Sequence, residues 1–549
     1  MLPLVVTVLT LIIIRCNAIN RNHVETSDGV IVNTTNGPIR GENVEYETIA
    51  LQRFLGIPYA KPPVEEMRWK APEIPEPWKD VLDTRAYKHN CMQTTNFDPY
   101  QYQSTLSEDC LYLNVFTPSL EKKNPVLVWI HGGGFQNGGA NESRLNGTFD
   151  VATTQDLVVI TLNYRLNVFG FLGVPSWDST CNFGILDQRL ALQWVQDNIL
   201  YFGGDPERVF LVGESAGGGS VLNHLTRPKS FGLFHRAGVE SGAYVLVDPQ
   251  PEMSEYDAQY EALLNRSSCK DVDCLKNLDA KSVLDFSQGL TYEPCVDGVD
   301  LQKQIVTLLH NDAVAPDVPV LIGSTREDLD FVLTSSVGYI QCDDPSLCNR
   351  QDFVNYAESI KAKMFSSLNV SKLVDIYEQV EVELPGGNNS KWWWAARHAA
   401  ADVSMICPAR ATARWLGLSG RDVYLYLFSK APSGTSGVYP NLAHHASEIP
   451  FVFHVLEAVG PNADAYYLNS EKDIEISSAM LNFWRNFAST ADPNRDKSSS
   501  MTKSKWRTYL SSRETMVFGD YNDEGVASSH VDLKTLQCDF WEPLLFGGI

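Results

Sequence analysis

Positive charge is scarce in this 549-residue chain: 44 lysines and arginines stand against 67 aspartates and glutamates, for a net charge of −23. Such a chain lacks the basic surface that nucleic-acid binding requires. Long apolar runs are lacking beyond the first residues, so no later segment is expected to span a membrane as a helix. The C-terminal residues PLLFGGI carry neither a hydrophobic anchor tail nor an ER-retention signal. No internal repeat and no low-complexity linker breaks the chain. The scattered His and Cys residues show no zinc-ligand spacing. No metal and no organic cofactor is expected.

What is present begins with an apolar run from Leu2 to Ile14, followed by Cys16 and Ala18. The run is shorter than the roughly 20 residues of a spanning helix. It reads as a signal peptide over 1–18, which leaves 19–549 as the mature chain. Six N-x-S/T sequons follow, at Asn33, Asn141, Asn146, Asn265, Asn369 and Asn388. Removing Cys16 leaves ten cysteines of the 11, an even number. Leader, sequons and cysteine count agree on a secreted, extracellular protein in which disulfides persist. Cys269 and Cys274 could close a local loop, as could Cys342 and Cys348; the connectivity of the rest stays open at this stage.

Short apolar runs alternate with longer helical patterns, which is the signature of an α/β sheet protein. Val126–Ile130, Leu157–Leu162, Val209–Val212, Val320–Gly323 and Val423–Phe428 read as buried strands. Asp187–Asn198 reads as a helix with Leu190, Ala191, Trp194 and Val195 on one face. Ile476, Met480, Phe483, Trp484 and Phe487 form another apolar face and read as core packing. Length alone suggests two domains or more, since single cores stop growing near roughly 250–300 residues. Strand signals from the early to the late chain favour one large domain with insertions.

Two glycine-rich stretches carry chemistry. Gly213-Glu214-Ser215-Ala216-Gly217 fits G-x-S-x-G. It follows the strand signal Val209–Val212 and leads into a helical stretch, Ala216–Leu225, as a strand–turn–helix nucleophile elbow requires. His131-Gly132-Gly133-Gly134-Phe135 follows the strand signal Val126–Ile130. A serine hydrolase must stabilise an oxyanion, and backbone N–H groups in a glycine loop can do so. Gly133, Gly134 and Ala216 are the candidate donors. A serine nucleophile also needs a base and an acid, in the chain order Ser, Asp or Glu, His. Chain order selects no single pair. Ser324-Thr325-Arg326-Glu327-Asp328 follows a strand signal and offers acids; His444-His445 offers histidines.

Further stretches extend these motifs. They are Phe54-Leu55-Gly56-Ile57-Pro58-Tyr59-Ala60, Glu108-Asp109-Cys110-Leu111-Tyr112-Leu113-Asn114-Val115, and Phe202-Gly203-Gly204-Asp205-Pro206 running through to Gly217. On these residues nearly the whole mature chain resembles the type-B carboxylesterase (carboxylesterase/cholinesterase) family. The resemblance implies the α/β-hydrolase fold, a large, mostly parallel sheet flanked by helices on both faces. It implies Ser215, Asp328 and His445 as catalytic residues. The family's acid falls five residues after a strand-end glycine, here Gly323, with Glu327 as the alternative. Its histidine lies three before a glutamate, as in His445-Ala446-Ser447-Glu448, with His444 the neighbour. Leu329 and Ala446 replace family glycines. The resemblance also implies disulfides Cys91–Cys110, Cys269–Cys274 and Cys407–Cys538, and leaves Cys181 and Cys295 undecided.

Glu214 and Tyr100 are the implied substrate-contact positions. Cholinesterases carry tryptophan where this chain has Tyr100, ten residues before Cys110, and tryptophan is the better cation–π partner. Together with an Asp in the acid position, this points to a carboxylesterase acting on a small-molecule ester rather than to a cholinesterase. A cholinesterase-like or lipase-like hydrolase of the same fold, and a non-catalytic adhesion or structural relative, are the other readings. Oligomeric state is not readable.

Overall fold

A computed structural model describes residues 23–26, 29–46, 49–94, 105–145, 148–174, 180–328, 337–342, 344–379, 390–431, 433, 442–456, 467–495, 505–519 and 525–547. Within them a 14-stranded mixed sheet forms the centre. Its middle is parallel: Val158–Leu162, Asn124–Ile130, Gly204–Glu214, Arg236–Glu240, Val320–Thr325, Val423–Phe428 and Glu514–Phe518 lie side by side in that order. Antiparallel strands extend both edges, Tyr112–Thr117 on one side and Ala527–Val531 on the other. All five expected strands are present.

The central strands read as continuous apolar runs because both faces are covered. Successive residues point to opposite faces. Val126, Val128 and Ile130 join one core with Val209 and Leu211. Leu127 and Trp129 join the other with Phe210 and Val212. The helices Phe183–Asn198 and Ala216–Leu225 fill the first face. The helix Glu471–Thr490 fills the second through Ile476, Met480, Phe483, Trp484 and Phe487.

The helix expected from Asp187 starts four residues earlier, at Phe183. Leu190 is only partly buried, and Leu192 takes the inward position. Asp187 within this helix is buried and receives a two-point contact from Arg165, at 2.8 and 2.7 Å. Arg165→Met strands that carboxylate, and loss of one partner of a buried pair costs ~3–5 kcal/mol. We expect a clear fall in the thermal midpoint. The double change Arg165→Met/Asp187→Leu should recover most of it; equal losses in both variants would contradict this.

Five cystines are present: Cys91–Cys110, Cys269–Cys274, Cys342–Cys348, Cys407–Cys538 and Cys181–Cys295. The last resolves the pair left open by sequence. Among the sequons, Asn33, Asn265 and Asn369 are exposed, whereas Asn141 is buried at 6% exposure. Asn146, Asn388 and the leader lie outside the described residues. Among the described residues no helix is long and apolar enough to cross a membrane.

Candidate active site

Ser215 sits between the strand Gly204–Glu214 and the helix Ala216–Leu225. Its backbone is forced to φ 57°, ψ −123°, a region that costs ~1–3 kcal/mol unless the surroundings impose it. Glycines make the sharp turn possible. A Cβ on Gly217 would lie 2.0 Å from the Ile130 carbonyl oxygen, so only glycine lets helix and strand approach this closely. Ser215 N–H donates to Glu240 O at 2.9 Å, which fastens the elbow to the next strand.

The glycine loop runs directly over the elbow. A Cβ on Gly132 would meet Glu214 Oε2 at 2.9 Å and Ser215 Cβ at 3.0 Å. Gly133 and Gly134 take φ of 104° and 60°. A Cβ on Gly134 would meet nothing within 4 Å, so this side of the loop is open. His131 is stacked on Tyr164, whose hydroxyl donates to His131 O at 3.0 Å.

Asp328 lies three residues past the strand Val320–Thr325. Its Oδ1 is 2.6 Å from His445 Nδ1. Its Oδ2 accepts from Ser241 Oγ at 2.6 Å and from the Thr325 N–H at 3.0 Å. His445 Nε2 is 3.3 Å from Glu214 Oε1, so the second ring nitrogen faces the elbow. Burial alone would lower the His445 pKa, but the Glu214 and Asp328 carboxylates outweigh it and hold it at about 9.

The neighbours face elsewhere. Glu327 binds Arg326 Nε at 2.5 Å and His398 Nε2 at 3.2 Å, and accepts from the Ala443 N–H at 2.8 Å. Burial opposes its ionisation, yet Arg326 and His398 keep its pKa well below the usual carboxylate range. His444 Nδ1 contacts His445 O at 2.8 Å, and burial lowers its pKa. Glu327 and His444 form a backbone bridge. That bridge sets the next residues of each loop, Asp328 and His445, opposite one another.

Sequence reasoning missed what lies behind this pair. Ser241 Oγ is also 3.2 Å from Glu448 Oε1, and burial, with Glu214, Glu240 and Asp328 nearby, pushes the Glu448 pKa well up. A hydroxyl has one proton to give, and Asp328 holds the shorter contact. Ser241 thus donates chiefly to Asp328, with Glu448 Oε1 as the longer second acceptor. Trp484 Nε1 donates to Glu240 Oε1 at 2.8 Å, and burial raises Glu240 to about 8. Glu240 ends a strand, Ser241 follows it, and Glu448 lies three residues past His445; only that placement hinted at them. Tyr100 lies outside the described residues.

A family model described as the carboxylesterase family matches residues 28–541. This chain belongs to the carboxylesterase family. It is a carboxylic-ester hydrolase of the α/β-hydrolase fold. The esterase is 32% identical over 542 residues to an acetylcholinesterase of Bungarus fasciatus, covering 94% of this chain and 86% of the relative. It is 33% identical over 508 residues to an acylcarnitine hydrolase of Mus musculus, covering 85% and 84%. Among solved structures, the esterase is similar to the Geobacillus stearothermophilus carboxylesterase Est55, with a TM-score of 0.76, 30% identity and coverage of 93% and 99%.

Proposed function

We propose that the protein is a secreted serine carboxylesterase that acts through an acyl-enzyme on Ser215. The observation that carries this reading is the line from Asp328 through His445 to the elbow, anchored by the 2.6 Å contact. His445 Nε2 takes the Ser215 proton as the hydroxyl oxygen attacks the ester carbonyl. Asp328 fixes the Nδ1–H tautomer and stabilises the imidazolium. Backbone N–H groups of Gly133, Gly134 and Ala216 hold the oxyanion. The alcohol leaves with the proton from His445. Water, deprotonated by the same ring, then releases the acid.

Secretion is supported by the leader, the exposed sequons Asn33, Asn265 and Asn369, and five cystines. A panel of acyl-chain lengths together with acetylthiocholine tests the substrate class. Preference for short, uncharged acyl esters is the expected result. Preference for acetylthiocholine, or for long-chain interfacial substrate, would replace this reading with a cholinesterase or a lipase.

The electrostatics give a pH prediction. His445 acts only when neutral, so kcat/KM climbs as pH rises through its pKa. Glu214 is one of the two carboxylates that raise that pKa. Glu214→Gln removes this charge, and an opposite charge at such range shifts a pKa by about 1–3 units. The acid limb of the kcat/KM profile should move to lower pH by about one unit or more. An unmoved limb, or one moved upward, would contradict the assignment.

A further inference from the structure

Gly133 and Gly134 have positive φ, and glycine holds such conformations at an entropic cost. Inside the loop, the Gln136 and Asn137 N–H groups close a turn on Gly133 O at 3.0 and 3.1 Å. The turn returns through Gly138, whose φ is 115°. A Cβ on Gly138 would lie 2.3 Å from His131 Nδ1 and 2.6 Å from Gly132 O. A shift of Gly138 therefore presses directly on the residues that precede the candidate oxyanion donors.

One side chain from outside the loop grips Gly138. Gln93 Oε1 accepts from the Gly138 N–H at 2.9 Å, and Gln93 Nε2 donates to Gly138 O at 2.9 Å. The same Nε2 is 3.0 Å from Cys91 O. Gln93 is only 1% exposed, so water does not readily replace these bonds. Cys91 is bonded to Cys110. Asn163 Nδ2 donates to Cys110 O at 3.2 Å, while Asn163 Oδ1 accepts from the Ala140 N–H at 2.8 Å. The disulfide stem is thus fastened to both Gly138 and Ala140, where the glycine loop ends.

We propose that Gln93 is a positioning residue for the oxyanion hole, clamping Gly138 to the Cys91–Cys110 stem so that the Gly133 and Gly134 N–H groups stay aimed at the reacting carbonyl. The inference rests on the oxyanion role proposed above for those glycines. The bonds Gln93 makes to Gly138 and Cys91 lie on the loop and the disulfide stem, not on Asp328 or His445. Its loss should weaken stabilisation of the developing oxyanion and leave the base unchanged. Misplacement of about 1 Å at a site of this kind costs ~100-fold in rate.

The test compares kcat/KM for an ester and for its thiono analogue, in which the carbonyl oxygen is replaced by sulfur, a poor hydrogen-bond acceptor. The unaltered protein should prefer the oxygen ester strongly. In Gln93→Ala, kcat for the oxygen ester should fall ~10–100-fold, with KM changed little. The oxygen-to-sulfur ratio should shrink, and the acid limb of the pH profile should stay in place. Gln93→Met, which fills nearly the same volume without polar atoms, serves if the alanine variant fails to accumulate. An unchanged ratio in a folded variant overturns the role of Gln93 while leaving the oxyanion reading intact. A displaced acid limb would likewise overturn it, by placing the effect on the base. A ratio near one in the unaltered protein would sink the oxyanion reading itself, and this inference with it.

Discussion

Ser215→Ala is expected to lower kcat for p-nitrophenyl acetate by about 10⁵–10⁶-fold, the scale seen when a triad serine is removed. The reason is covalent: without the hydroxyl there is no atom to carry the acyl group. Only the oxyanion donors and substrate binding remain, and these give a small residual rate. The fold should survive. Ser215 is nearly buried at 8% exposure, and alanine removes one oxygen without adding volume. The elbow's backbone is held by glycine packing and by the bond from Ser215 N–H to Glu240 O, neither of which needs the side chain. A thermal midpoint close to that of the parent, with activity gone, is the expected pair of results. Retained turnover in a folded variant would remove Ser215 as the nucleophile.

Asp328→Asn carries the second large effect. An amide in place of the carboxylate can donate to His445 Nδ1, which favours the wrong tautomer and removes the charge that stabilises the imidazolium. The cost of that exchange in a triad is about 10⁴-fold in kcat. The adjacent change, Glu327→Gln, is the matched control. Glu327 is the partner of Arg326 and His398 and supports the Ala443 N–H. It should lower stability while leaving kcat per folded molecule close to the parent value. If Glu327→Gln destroyed turnover in a folded protein while Asp328→Asn did not, the acid assignment would have to be exchanged.

These two neighbours mark where the sequence ceases to be readable by local pattern. The strands, the elbow and the glycine loop are local features. Apolar runs and glycines advertise them, and the structure has each near its expected place. Asp328 and Glu327 differ by one position, and nothing local separates them. They part because the Glu327–His444 bridge fixes a register between two loops far apart in sequence. Their side chains then diverge, one to the imidazole and one to Arg326 and His398.

The same physics hid the support behind the site. Ser241, Glu240 and Glu448 matter because three chain segments converge, and no periodicity reports convergence. Gln93 was equally silent, since its partner Gly138 lies 45 residues away. Composition hinted at a paired interior only through the even cysteine count. The helix at Phe183–Asn198 also begins four residues before the start that the apolar pattern alone suggested.

The central claim is that Ser215 alone becomes acylated. The most direct measurement is intact-mass analysis after treatment with an organophosphate, followed by peptide mapping. The expected result is one equivalent of phosphoryl group on the peptide containing Ser215, no label in Ser215→Ala, and loss of esterase activity in step with labelling. Label on another residue, or full labelling without loss of activity, would contradict the account.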